Sequence, residues 1–161
     1  MSEADLWREI ERLQARLDYL EALESLLPAA SGTWTTSYKG SGTAGVFTYT
    51  SQAGYYVKLD GFVLIWGRCA ISAINTPPTG TMTIEGLPVA CNGTYAGAVE
   101  FGTISQFNYT AAALDLTGAI LAAASNIDLR ESFDNATFVQ VPAANFTNNS
   151  TDLRFAGMYL L

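Results

Sequence analysis

Over the first 27 residues leucines recur every seventh position, at Leu6, Leu13, Leu20 and Leu27. Ile10 and Leu17 follow four residues after Leu6 and Leu13, so the apolar positions alternate in spacings of four and three. A stripe this narrow is the seam of a coiled coil rather than the wider face of a helix lying on a core. Residues 1–27 are therefore expected as a coiled-coil helix, with Glu3 and Glu24 in the outer seam positions fraying its ends. The competing reading is a helix packed on the domain that follows.

From Thr33 onward the helical period disappears and short alternating runs take over between turn signals. Tyr55–Leu59, Asp60-Gly61 and Phe62–Ile71 read as a hairpin, because Asp-Gly between apolar runs favours a tight type I′ turn. That register opposes Leu59 to Phe62, Val57 to Leu64 and Tyr55 to Trp66. The second face would carry Tyr56, Val63, Ile65, Cys69 and Ile71. Both faces are apolar, so one is expected in the core and the other against a neighbouring subunit. Met82 and Ile84, Ile127 and Leu129, and Val139 and Val141 alternate with polar residues, and the apolar end from Leu153 to Leu161 reads as a strand within a sheet. About eight strands are expected in all. The fold class is thus mainly β: a trimeric coiled-coil helix over 1–27, a linker over 28–32 at Pro28, and an antiparallel, jelly-roll-like β-sandwich over 33–161.

Ile at one seam position and Leu at the other favours two strands. Arg16-Leu17-Asp18-Tyr19-Leu20-Glu21, however, resembles the trimerisation motif of short coiled coils, in which the arginine pairs with a glutamate of the neighbouring helix. Trp7 and Leu23 widen the apolar face towards three strands. The expected trimerisation residues are Leu6, Ile10, Leu13, Arg16, Leu17, Leu20, Glu21 and Leu27. A helix of about 22 residues, roughly 33 Å long, is marginal alone, so the β domain is expected to reinforce the assembly.

Charge sharpens the division. Seven acidic and three basic residues fall in 1–27, against thirteen charged residues in the other 134. The net charge of −7 argues against nucleic acid, which binds through clustered Lys and Arg. There is no polybasic segment or run long enough to span a membrane, and no secretory signal is visible, so a soluble product of a host cytoplasm is expected. Cys69 and Cys91 have no metal or redox spacing and are expected as buried thiols. The absence of histidine removes Ser-His-Asp, Cys-His and His-ligated metal sites, and no cofactor fingerprint occurs. Asp128, Glu131, Asp134 and Asp152 are the carboxylates from which glycoside-type acid–base chemistry could be built. They are expected instead as solvated loop charges or intersubunit ion pairs. Among Trp34, Tyr38, Tyr49, Tyr56, Trp66, Tyr95 and Tyr109, the candidate glycan contacts are Tyr95 and Tyr109, in Gly- and Asn-rich surroundings, whereas Trp66 is expected in the core. Asn92-Gly93-Thr94 and Asn108-Tyr109-Thr110 read as polar loops.

Gly32-Thr33-Trp34-Thr35, Gly54-Tyr55-Tyr56-Val57-Lys58-Leu59-Asp60-Gly61-Phe62-Val63, Thr83-Ile84-Glu85-Gly86-Leu87-Pro88 and Phe155-Ala156-Gly157-Met158-Tyr159 follow one another in this order. Together they resemble the β domain found after a coiled coil in phage tail-fibre, neck-appendage and head-fibre proteins. Thr36 departs from a usual proline, and Asp60-Gly61 replaces Gly-Asn at the hairpin. The resemblance implies a non-enzymatic, homotrimeric structural protein on the virion surface. With heptads starting close to Met1, the expected arrangement is a capsid decoration or head fibre seated through its helices on the major capsid protein. The alternative is a short tail-fibre or tail-tip protein that recognises a host-surface glycan. A glycan-cleaving spike is the enzymatic reading.

Overall fold

A computed structural model describes residues 3–24, 30–94, 96–147 and 149–161. The heptad segment forms one helix, α1 (Glu3–Glu24). Asp5 suits the positive end of its dipole, and the last turn has no basic residue. Two three-residue ion pairs, Asp5 with Arg8 and Glu9 with Arg12, run along its surface. Leu6, Leu13, Leu17 and Leu20 are all exposed.

Ten strands follow: β1 (Ala30–Trp34), β2 (Ser37–Gly40), β3 (Val46–Leu59), β4 (Phe62–Thr76), β5 (Met82–Glu85), β6 (Gly97–Ser105), β7 (Ala113–Ile120), β8 (Asn126–Phe133), β9 (Ala136–Gln140) and β10 (Asp152–Leu160). They form one antiparallel sheet in the order β1-β3-β4-β10-β6-β7-β8-β5-β2, with β9 also on β8. This exceeds the eight strands expected, chiefly because β1 and β2 are short and polar. Ala30, Ser31 and Gly32, in the segment expected as linker, pair with Lys58, Val57 and Tyr56. Ladder hydrogen bonds there outweigh a composition that reads as loop.

The two ends of the sheet, β1 and β2, are separated in sequence only by Thr35 and Thr36. Thr36 is fully buried; its hydroxyl donates to the Arg68 carbonyl, and its own carbonyl accepts from Gln52 Nε2. The sheet is thereby drawn round a single core. Val63 and Ile65 (β4), Ile84 (β5), Leu116 and Ile120 (β7), Ile127 and Leu129 (β8) and Leu153 and Tyr159 (β10) meet there. Gly54 and Gly67 face each other across β3 and β4 because Trp34 and Phe155 press on them, leaving no room for a Cβ at either position. Those two rings lie 6.0 Å apart.

The central hairpin has the expected register, with Tyr55 opposite Trp66, Val57 opposite Leu64 and Leu59 opposite Phe62. Its turn differs from the type I′ form: Gly61 takes φ +82°, but Asp60 does not adopt positive φ, the pattern of a type II turn. Val63, Ile65, Cys69 and Ile71 are buried as expected. Trp66 is not in the core but 44% exposed, because strand alternation puts it on the face opposite Ile65.

Candidate functional site

The outer face of β3, β4, β10 and β6 changes character along the strands. Ala30 pairs with Lys58, so the chain arriving from α1 enters the sheet beside the Asp60-Gly61 turn. At that proximal end the register aligns Leu59, Phe62 and Leu160, then Val57, Leu64, Met158 and Ala98. The next row holds Tyr55, Trp66, Ala156 and Glu100, and the following one Ala53, Arg68, Arg154 and Thr103. Beyond these, Ser72, Ser105 and Asn149 line a polar hollow of about 620 Å³. The face thus grades from apolar near the helix attachment to polar at the far end.

An arginine–carboxylate knot marks the change. Arg68 grips Asp152 with two parallel hydrogen bonds, Nε to Oδ1 at 3.0 Å and Nη2 to Oδ2 at 2.9 Å. This fork holds the Asp152 carboxyl below the usual carboxylate range and keeps the Arg68 guanidinium firmly charged. Arg154 approaches the same carboxylate only to 3.6 Å. It also borders an open hollow of about 430 Å³ with Tyr55 and Trp66, whose rings lie 6.0 Å apart. Neither arginine was singled out from the sequence. The signal was there, however, in charged residues at alternate positions on one face of otherwise apolar strands: Arg68 two after Trp66, and Arg154 two after Asp152.

The other acidic residues are placed differently from expectation. Asp128 and Glu131 are not solvated loop charges but lie buried on β8. Asp128 accepts from Gln140 Nε2 at 3.0 Å and lies 3.8 Å from Arg130, whose guanidinium stacks on Phe138. Glu131 Oε1 accepts from the Thr110 backbone N–H at 2.8 Å and from Asn145 Nδ2 at 3.0 Å, while Oε2 has no partner among the described residues. The i, i+3 spacing sends these carboxylates to opposite faces of the strand, so each serves its own network. Asp134 sits at the tight β8–β9 turn beside Asn135. Among the described residues no cluster of acidic and sulfur side chains could hold a metal, and no helix is long and apolar enough to cross a membrane.

Of the two candidate glycan contacts, Tyr95 lies outside the described residues. Tyr109 is exposed and packs edge-on to Phe107, which in turn meets Phe146 of the core. Partial burial, then the Asp115 and Glu131 charges, raise its hydroxyl pKa. Tyr109 is thus not part of the arginine face. Cys69 and Cys91 are both buried and not joined in a disulfide, and burial pushes the Cys69 thiol up to about 12.

On α1, Leu6, Leu13, Leu17 and Leu20 are exposed, and Leu27 lies outside the described residues. Arg16 and Glu21 form no ion pair within the described chain.

No protein-family model matches this sequence, and no curated protein does. Among solved structures, the crystal structure of the Dettilon tailspike protein (gp208) is similar in fold, with a TM-score of 0.67 at 12% identity. The likeness covers 81% of this chain but only 23% of the tailspike chain, so this protein spans about a quarter of that length. The chain is similar in fold to a segment of a phage tailspike.

Proposed function

We propose that this chain is a homotrimeric, non-enzymatic structural protein of a phage tail, joined through α1 as a coiled coil and displaying a sandwich-like β domain that contacts the host surface. The observation carrying this reading is the pair of apolar surfaces left open on one chain. The α1 seam and the proximal part of the outer sheet face both expose residues that a lone domain would bury. Three copies around one axis close both at once.

The tailspike likeness favours a tail position over the capsid-decoration position expected first. The non-enzymatic part rests on the carboxylates: Asp128 and Asp152 are held by fixed internal partners, and so is Oε1 of the buried Glu131.

Light scattering coupled to size exclusion should give three times the 17.2 kDa chain mass. Immunogold against this protein should mark the virion tail. Label over the head would restore the capsid-decoration reading, and a monomer at every concentration would end the trimer.

A further inference from the structure

We propose that the distal half of the outer face is a binding groove for a carboxylate-bearing oligosaccharide, with Arg154 contacting the acid group and Trp66 supporting a sugar ring. The proposal rests on the reading of an outward-displayed virion domain and adds a ligand class and a place.

The first support is the supply of cationic donors. Past the helix the chain holds five basic residues, Lys39, Lys58, Arg68, Arg130 and Arg154. Arg68 is forked onto both oxygens of Asp152, Lys39 lies 3.8 Å from Glu85, and Arg130 lies 3.8 Å from Asp128 with its guanidinium on Phe138. Lys58 pairs in register with Val63, on the face opposite Trp66. Arg154 meets Asp152 at an oxygen that Arg68 already holds, at 3.6 Å, and its 54% exposed side chain stands on the same face as Trp66. A guanidinium has five N–H donors in a planar fork, and this one reaches Asp152 through Nη2. Glu100, the nearest other acid across β6, makes no ion pair with it among the described residues. Arg68 and Asp152 flank Arg154 on the same face, locked to each other by two hydrogen bonds.

The second support is the neighbourhood. Trp66 and Tyr55 border the same hollow as Arg154, and an exposed indole beside a guanidinium suits the apolar face of a pyranose ring that carries an acid group. Ser72, Ser105 and Asn149 continue the lining on the other side of the arginine knot. From Trp66 to Ser72 along β4 is six residues, about 20 Å at roughly 3.3 Å each. That length suits a short oligosaccharide rather than one sugar.

The third support excludes an extended peptide added as a strand. β4 is paired on both sides by β3 and β10, and β10 by β4 and β6, so neither ladder offers a free edge. Only side chains are available for recognition here. The grading of the face also keeps the groove apart from the apolar rows at the helix-proximal end, which are the ones the trimer is proposed to cover.

The test uses the full-length protein and calorimetric titration with oligomers of galacturonate, of mannuronate–guluronate and of sialic acid. Each is paired with its carboxyl-reduced counterpart, and oligomeric mass is followed alongside. At least one acidic oligomer should bind, and carboxyl reduction should weaken it tenfold or more. Arg154→Gln should do the same without changing oligomeric mass, and Trp66→Leu should weaken the acidic and reduced forms alike. Failure of every oligomer, equal binding after carboxyl reduction, or unchanged affinity in Arg154→Gln would overturn the groove. So would dissociation of the assembly by Arg154→Gln, since that would put Arg154 in a subunit contact. A tail-located trimer that binds none of the oligomers sinks the groove alone, whereas a monomer that binds acidic oligomers sinks only the trimer.

Discussion

Replacing Leu17 by alanine should dissociate the assembly while leaving the helix intact. Leu17 is 56% exposed in the single chain, so about half of its side chain remains to be buried by neighbouring helices. Full burial of a leucine contributes about 1.5–3 kcal/mol, so this fraction corresponds to roughly 0.8–1.7 kcal/mol per chain. Over three chains the loss is roughly 2.5–5 kcal/mol, before any term for the cavity left behind. At about 1.4 kcal/mol per decade, association should weaken by roughly a hundred- to several-thousand-fold. Alanine is the best helix former, so loss of helix propensity cannot account for the effect. Tyr19→Ala is the matched control, because Tyr19 is 65% exposed but lies outside the seam. Sedimentation equilibrium over a range of concentrations reads both variants. If Tyr19→Ala dissociates the protein as readily as Leu17→Ala, the contact is a nonspecific apolar one, and the heptad reading is refuted.

Three further outcomes follow from the β domain. Gly67→Ala should cost about 1–3 kcal/mol in chemical denaturation, because its Cβ would enter the Phe155 ring, whereas Gly93→Ala meets open space and should change little. Equal midpoints for the two variants would show that the Gly67 site can relax. Glu131→Ala should cost about 2–4 kcal/mol by leaving the Thr110 N–H and Asn145 amide without their acceptor. Glu131→Gln keeps an acceptor oxygen and should cost less; the reverse order by thermal melting would contradict the assignment. Because the folded pKa of Asp152 is lowered, chiefly by its hydrogen bonds from Arg68, the unfolded chain binds more protons on the acid side. Its stabilisation is therefore complete above the ordinary aspartate value of about 3.9 and is lost as pH falls through the lowered folded value. Denaturation midpoints across that window should fall less steeply for Asp152→Asn than for the parent.

The hairpin around Asp60-Gly61 was legible because period-two alternation and a two-residue turn fix register together. Its turn type was less so, since a tertiary fit can impose a different pair of dihedrals on the same two residues. Trp66 was misplaced for an instructive reason: when both faces of a strand are apolar, alternation identifies two sets of residues but not which set is inside. The decision comes from Trp34 and Phe155, which pack over Gly54 and Gly67 and so make the Ile65 face the core. Short β1 and β2 escaped notice because each carries one large core residue, Trp34 or Tyr38, among small and polar residues that show no alternating run. Asp128 and Glu131 looked like surface charges for a related reason. Their partners Gln140, Thr110 and Asn145 lie ten or more residues away in sequence, and only the fold brings them within hydrogen-bond reach.

The same logic separates the two uses of the outer face. An apolar row beside the helix attachment and a polar row beyond Arg154 cannot serve one occupant equally well. Burying the arginine against a neighbouring subunit would require that subunit to supply an acid or leave the charge unpaired. Leaving Met158, Leu64 and Leu160 in water would keep an apolar patch open on an already charge-poor domain. The arrangement in which each half meets its own complement covers the proximal rows with a second copy and leaves the distal rows open to solvent. It also predicts that the two halves mutate independently. Met158→Asp should weaken the assembly with little effect on the intrinsic affinity of each groove, and Arg154→Gln should do the opposite. If either substitution moved both readouts together, the face would be a single site, and the division drawn at Trp66 would be lost.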